Sequence, residues 1–271
     1  MSVRRVGLLT LLALASLYLT ACLVLYFAQD RMLFPAWAVG DAPRLPPRAE
    51  RLMLDTPDGK RLGGVHLRAA GGAGGDLLLL AFAGNATNAE EEALRLHRIF
   101  PEHDVVAFHY RGYAPSTGVP SADAMISDAA LIYDEVQRLY HPARVVAVGT
   151  SLGSGIAATL AAQRPLAGVV LITPFDSLRN VAAQLYWWLP VGLLMRHDVD
   201  AAEALRGSDV PVAIIAAGED RLVRPERTAA LREAVRQLRF GSTLAGAGHN
   251  DIAAHPQYGA TLRAAVARVA A

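Results

Sequence analysis

The stretch that most restricts how this chain can fold is Val145 to Ala158, VVAVGTSLGSGIAA. Val145 to Val148 reads as a short buried strand, and the small and apolar residues after Gly153 suit a helix. Between them stands Gly149-Thr150-Ser151-Leu152-Gly153, a G-x-S-x-G sequence in the strand-to-helix setting that gives the motif meaning. The spacing is steric. A serine held in a tight, strained turn needs small residues two before and two after it, so that strand and helix can close on each other. Leu152 then offers its backbone N–H at a helix N-terminus, facing the place where an oxyanion develops. Such a turn needs a parallel sheet to hold it and partner residues for Ser151.

The remaining chain supplies the sheet. Arg51–Leu54 and Arg61–Leu67, joined at Pro57-Asp58-Gly59, read as an antiparallel edge pair. Asp76–Phe82 (DLLLLAF) is apolar almost throughout, as a strand covered on both faces must be. Further strands are expected at Asp104–Phe108, Ala167–Ile172, Val210–Ala217 and Phe240–Leu244. Helices are expected at Ala89–Phe100, Ser121–Tyr140, Ala229–Leu238 and Tyr258–Ala271. This alternation predicts an α/β fold, a mostly parallel sheet with helices on both faces. With 271 residues, no internal repeat and no second linker, one domain is expected after the N-terminal segment. Gly71–Gly75 lacks the Lys-Ser/Thr of a phosphate loop and is assigned no ligand. Thr173–Ser177 opens a longer stretch to about Leu205, whose part Leu185-Tyr186-Trp187-Trp188-Leu189-Pro190-Val191 is unusually apolar. It reads as a cap over an apolar pocket or against a bilayer, or else as a core helix.

In an open α/β sheet the ligand site lies beyond the carboxyl ends of the strands. Asn85, Ser151, Asp220 and His249 each follow a strand closely and should converge there. A nucleophilic serine needs a base to take its proton and an acid to fix the imidazole tautomer. His249, between Gly248 and Asn250, is the candidate base, and Asp220, after Gly218, the candidate acid. Asp176 is the rival acid, with an N-cap as its ordinary role. Asp251 reads as a local cap. His66, His97, His103, His141 and His255 read as structural or solvated, and His109 and His197 have no motif around them. The amides of Leu152 and Asn85 are the candidate oxyanion donors, Gly84 allowing close approach of its loop. No metal or organic cofactor is required by this chemistry.

The N-terminus is a separate problem. Val6 to Gln29 carries no charged residue, and about 20 apolar residues span a bilayer as a helix. Arg4 and Arg5 precede it, which favours a cytoplasmic N-terminus and an exported remainder. Residues 1–30 therefore read as a transmembrane anchor or signal segment and 31–271 as the folded domain. Leu19-Thr20-Ala21-Cys22 also resembles a lipobox, in which Cys22 would be lipidated after cleavage, and a cleaved signal peptide is a third reading. Arg31–Arg51 reads as an aperiodic crossing segment. Cys22 is the only cysteine, so no intramolecular disulfide forms. A net charge of +1 gives no reason to expect nucleic acid as a partner. Nothing in the sequence fixes an oligomeric state.

Assembled, these segments resemble the α/β-hydrolase superfamily, in its branch of membrane-anchored, single-domain serine hydrolases. The resemblance rests on Leu33-Phe34-Pro35 after the anchor, Ala83–Asn88 in place of H-G-N-A-G-N, and Tyr110–Ala114 in place of Y-R-G-Y-G. It also rests on Ser127-Asp128-Ala129, the elbow, Thr173–Ser177 and Gly246–Asp251 (GAGHND). The order Ser151, Asp220, His249 is that of the family's triad. What the resemblance implies is an α/β-hydrolase fold with a small or minimal cap. Two positions depart: Ala83 stands where the family has a histidine that braces the oxyanion loop, and Thr87 stands where it has glycine. Ala114 replaces a further glycine. The activity implied is hydrolysis of a carboxylic ester or thioester, with acyl or lipid substrates suggested by the aromatic segment. A peptidase or amidase on the same triad, and a non-catalytic membrane-tethered binding protein, are the alternatives.

Overall fold

The computed structural model describes residues 3–71 and 76–271. Gly72 to Gly75, most of the glycine-rich connection, lie outside the described residues. A helix, α1 (Val3–Leu33), leads into a short 3₁₀ turn at Ala36–Ala38. Then follow β1 (Glu50–Asp55), β2 (Arg61–Leu67), β3 (Leu77–Phe82), α2 (Ala89–Ile99), β4 (Asp104–Phe108) and α3 (Ala122–Tyr140). The central part is β5 (Arg144–Thr150), α4 (Leu152–Ala161) and β6 (Gly168–Ile172). After it come α5 (Leu178–Leu185), α6 (Val191–Leu194), α7 (Ala201–Arg206), β7 (Val212–Ala217), α8 (Pro225–Ala234), β8 (Leu238–Leu244) and α9 (Tyr258–Val269).

The strands form one eight-stranded sheet in the order β1-β2-β4-β3-β5-β6-β7-β8. β1 and β2 pair antiparallel, β2 joins β4 antiparallel, and from β4 to β8 every pairing is parallel. The run in β3 explains itself in this frame. Leu78, Leu80 and Phe82 enter the core under α3 and α4, while Leu77, Leu79 and Ala81 enter the core under α2 and α9. Burying each such leucine contributes roughly 1.5–3 kcal/mol. A strand covered on both faces has no polar side, so alternation disappears from the sequence. β1, at the edge, keeps an alternating exposure.

Two boundaries differ from the sequence reading. The helix expected at Ala229–Leu238 lies earlier, at Pro225–Ala234, because Pro225 occupies the first helical turn, where its missing N–H costs nothing. Leu238 instead opens β8 opposite Val212. The aromatic segment is not a core helix. It lies on the surface excursion between β6 and β7, where Trp187 is 82% and Leu193 86% exposed. Sheet and helix packing are already complete beneath it.

The helix α1 is long and apolar enough to cross a membrane, and most of its apolar side chains face away from the domain. At 1.5 Å per residue its 31 residues reach about 46 Å, more than the ~30 Å hydrocarbon thickness. The excess is used against the domain. The helix continues through Asp30 and Arg31 to Leu33, and Phe34 is buried beside His197, the ring centroids 5.1 Å apart. Gln29 donates to Leu194 O and accepts from Arg196 N. Asp30 meets both Arg196 and His197 at 2.7 Å. Where the chain leaves α1, Phe34 docks on the domain, whereas Met32 and Trp37 stay exposed.

Candidate active site

Ser151 stands between β5 and α4 with φ 51° and ψ −116°, a backbone conformation that costs an L residue of order 1–3 kcal/mol. The neighbours that hold it there are those the motif requires. A Cβ on Gly149 would fall on the backbone of Gly153, and one on Gly153 would fall on the carbonyls of Phe82 and Ala83. The serine amide donates to Ile172 O at 2.9 Å, tying the turn to β6. Below it, Thr150 Oγ1 donates to Glu92 Oε1 at 3.1 Å. Glu92 is fully enclosed, and burial raises its pKa above the usual carboxylate value although Arg95 opposes the shift.

The loop after β8 brings His249 to this turn. His249 Nε2 is 2.8 Å from Ser151 Oγ, and its Nδ1 is 2.7 Å from Asp220 Oδ2. Asp220 follows β7, and its other oxygen accepts from the amides of Leu222 and Val223 at 3.0 and 2.8 Å. With the carboxylate fixed by two amides, the proton belongs on Nδ1 and the Nε2 lone pair faces the serine hydroxyl. The side chains of both His249 and Asp220 are buried. Glu219 N donates to Ala247 O at 2.8 Å, which locks the two loops together. Within the histidine loop, Gly248 N donates to Asp251 Oδ1 at 2.6 Å, so Asp251 caps its own turn.

The rival residues go elsewhere. Asp176 takes hydrogen bonds from Arg227 and Asn180 and lies apart from His249. It is not the N-cap of α5 either; Ser177 is, its hydroxyl accepting from Asn180 N. His197 faces Asp30, His66 faces Asp104, and His109 is buried without a partner for Nε2.

Opposite Ser151 runs the loop Ala83–Asn88. A Cβ on Gly84 would sit 3.6 Å from Thr150 O and 3.8 Å from Ser151 Cβ, so this backbone passes directly over the nucleophile turn. The amides of Asn85 and Leu152 have no protein acceptor among the described residues. Two free N–H groups beside a serine are what a tetrahedral oxyanion requires. Three tyrosine and asparagine contacts that the sequence reading missed hold this loop. Tyr110 Oη donates to Ala83 O at 2.8 Å, Tyr113 Oη donates to Asn85 Oδ1 at 2.7 Å, and Asn85 Nδ2 donates to Leu33 O at 2.6 Å. Burial raises the pKa of both tyrosines, so both remain donors. The Tyr110–Tyr113 turn is itself pinned by Arg111, forked onto Asp128 at 3.0 and 2.6 Å. The only sequence signal for these roles was the Tyr-Arg-Gly-Tyr run itself. Among the described residues no group of three or more His, Cys, Asp or Glu is disposed to hold a metal ion.

A family profile described as alpha/beta hydrolase fold matches residues 77–192. An uncharacterized protein of Mycobacterium tuberculosis is 33% identical over 258 residues, covering 93% of this chain and 91% of the relative. The chain belongs to the α/β-hydrolase family. An uncharacterized membrane protein of Saccharomyces cerevisiae is 29% identical over 216 residues, 74% of this chain and 75% of its own. The lysophosphatidylserine lipase ABHD12 of Danio rerio is 28% identical over 167 residues, 54% of this chain and 44% of the lipase. Among solved α/β-hydrolase structures, the Pyrococcus furiosus esterase Pf2001 superposes with a TM-score of 0.68 at 17% identity. That superposition covers 84% of this chain and 97% of the esterase. In this α/β hydrolase the excursion holding α5 and α6 forms a small cap, and an apolar cleft of about 110 Å³ lies between it and α1.

Proposed function

We propose that the chain is a membrane-anchored serine hydrolase that cleaves carboxylic ester or thioester bonds through an acyl-enzyme. The observation that carries this reading is the continuous line Ser151 Oγ, His249 Nε2, His249 Nδ1, Asp220 Oδ2, with spacings of 2.8 and 2.7 Å. Ser151 Oγ attacks the carbonyl carbon while His249 Nε2 takes its proton. The electrons of the C=O bond move to oxygen, which the amides of Leu152 and Asn85 receive. Collapse expels the alkoxide or thiolate, to which His249 returns the proton, leaving an acyl ester on Ser151. Water, deprotonated by the same imidazole, then releases the carboxylic acid and restores the serine. Asp220 stays ionised and stabilises the imidazolium.

An acyl or lipid ester as substrate is supported by the exposed apolar cap beside α1 and by the lipase among the relatives. Residues 1–30 serve as the anchor and 31–271 as the hydrolase domain, on the extracytoplasmic side that Arg4 and Arg5 imply.

A fluorophosphonate probe applied to membranes carrying the full-length protein tests the mechanism. Wild type should label at Ser151, Ser151→Ala should not, and Asp220→Asn should lose about 10⁴ in kcat on a p-nitrophenyl ester. Absence of label on wild type, under conditions that label other serine hydrolases, sinks the reading. Preference for peptide amides over esters would make the enzyme an amidase.

A further inference from the structure

The loop over Ser151 carries a cost that its own residues do not offset. Ala86, next to the proposed donor Asn85, has φ 58°, a left-handed conformation unfavourable for alanine. Within the loop the one backbone hydrogen bond is a long one, Thr87 N to Gly84 O at 3.2 Å. Strained turns persist only where the surroundings over-determine them. Here the surroundings are the Tyr110–Tyr113 turn and the end of α1. Leu33 O is one of the carbonyls that a helix C-terminus leaves without an internal partner. Asn85 Nδ2 satisfies it at 2.6 Å while Asn85 Oδ1 is held by Tyr113 at 2.7 Å. The Asn85 side chain is thus fixed at both ends, and its own amide stays free beside Ser151. Three residues on, Asn88 Nδ2 donates to Gly40 O at 3.3 Å, a second bond from the same loop to the chain leaving α1. The last turns of α1 are seated independently, by Gln29 on Leu194 and Arg196 and by Asp30 on Arg196 and His197.

We infer that the exit of the membrane helix is a working part of the oxyanion hole: Leu33 O, through the Asn85 side chain, aims the Asn85 amide at the oxyanion, so that seating of the anchor sets the rate of the chemical step. The inference rests on the serine-hydrolase reading above. Asn85 is a positioning residue through its side chain and an oxyanion donor through its backbone. Asn85→Ala retains the second role and loses the first. Tyr113 acts only through Asn85.

The test uses the full-length protein in detergent micelles, with p-nitrophenyl butyrate as substrate and an aliphatic trifluoromethyl ketone as analogue of the tetrahedral intermediate. Asn85→Ala should lower kcat about tenfold with KM within about twofold, and weaken the ketone by the same factor as kcat. Tyr113→Phe should lower kcat by a smaller factor and add nothing to Asn85→Ala. The double change Gln29→Ala/Asp30→Ala, which unseats α1 without touching the loop, should lower kcat in the wild-type background and leave it unchanged beside Asn85→Ala. If unseating α1 lowers kcat equally in both backgrounds, the effect is general loosening and the inference is overturned. Should wild type turn over the ester while Asn85→Ala keeps its kcat, the inference fails and the serine-hydrolase reading stands. Wild type that neither labels with fluorophosphonate nor hydrolyses the ester removes the reading and the inference together.

Discussion

His109 ends the rise of β4 into the Tyr110–Tyr113 turn and is 3% exposed, its Nε2 without a partner. Burial, with a smaller push from Arg51, lowers its pKa to about 4. An unfolded histidine titrates near 6.5. Between those values the unfolded chain binds a proton that the folded chain refuses, so stability falls as pH drops from about 6.5 toward 4. At about 1.4 kcal/mol per pH unit the full window is worth roughly 3.5 kcal/mol. The thermal midpoint of the wild type should therefore fall between pH 7 and 4.5 by several degrees more than that of His109→Gln, each compared with itself at pH 7. Parallel curves for the two proteins would show that His109 is not held neutral. His249 has hydrogen-bond partners on both ring nitrogens. A carboxylate and a hydroxyl bracket that imidazole, whereas nothing polar meets His109 Nε2.

At the scale of elements, the cap and α1 form a unit. Tyr18 Oη donates to Trp188 O at 3.1 Å and Gln29 Nε2 to Leu194 O at 3.1 Å, so the α5–α6 excursion is bonded along the apolar helix. Trp187, Trp188 and Leu193 stand exposed on this excursion. If α1 crosses a bilayer, groups bonded beside its Tyr18 lie at the depth of the apolar layer. In lipid vesicles, a protein carrying Trp37→Phe and Trp188→Phe leaves Trp187 as the only indole. Its emission should be quenched by brominated acyl chains and be nearly insensitive to iodide. Strong iodide quenching with no effect of the brominated lipid would mean that the cap stands in water. The element boundaries tell the same story from the other side. α8 begins at Pro225, several residues before the expected Ala229, because its amphipathic pattern is weak and the proline start outweighs it.

For the whole molecule, α1 runs unbroken past Cys22 and its last turns are built into the domain by Gln29, Asp30 and Leu33. A helix long enough to cross a bilayer whose last residue also bonds the loop over Ser151 would lose that bond if it were cleaved away. The mature protein should have the mass of the full chain, 28.8 kDa, and resist extraction by carbonate. A mass beginning at an acylated Cys22 would replace the anchor with a lipid. Protease added outside spheroplasts should reach residues beyond Leu33 if Arg4 and Arg5 hold the N-terminus in the cytoplasm.

Features written locally in the chain are legible without any fold. The apolar runs of β3 and β5 specify strands covered on both faces, since no residue there tolerates water. Gly149 and Gly153 specify the turn, since any Cβ at either position collides with backbone. The order of Ser151, Asp220 and His249 along an alternating α/β chain specifies that they leave the same edge of one sheet. The sequence ranks Asp220 above Asp176 by chain order, and tertiary structure adds the geometry: Asp220 Oδ2 meets His249 Nδ1 at 2.7 Å while Asp176 is bonded to Arg227. Tertiary structure alone decided the exposure of Trp187 and the bonds from Asn85 to Leu33 and Tyr113. A side-chain amide reaching a carbonyl 52 residues away leaves no periodic trace, since it depends on where two separately folded segments come to rest.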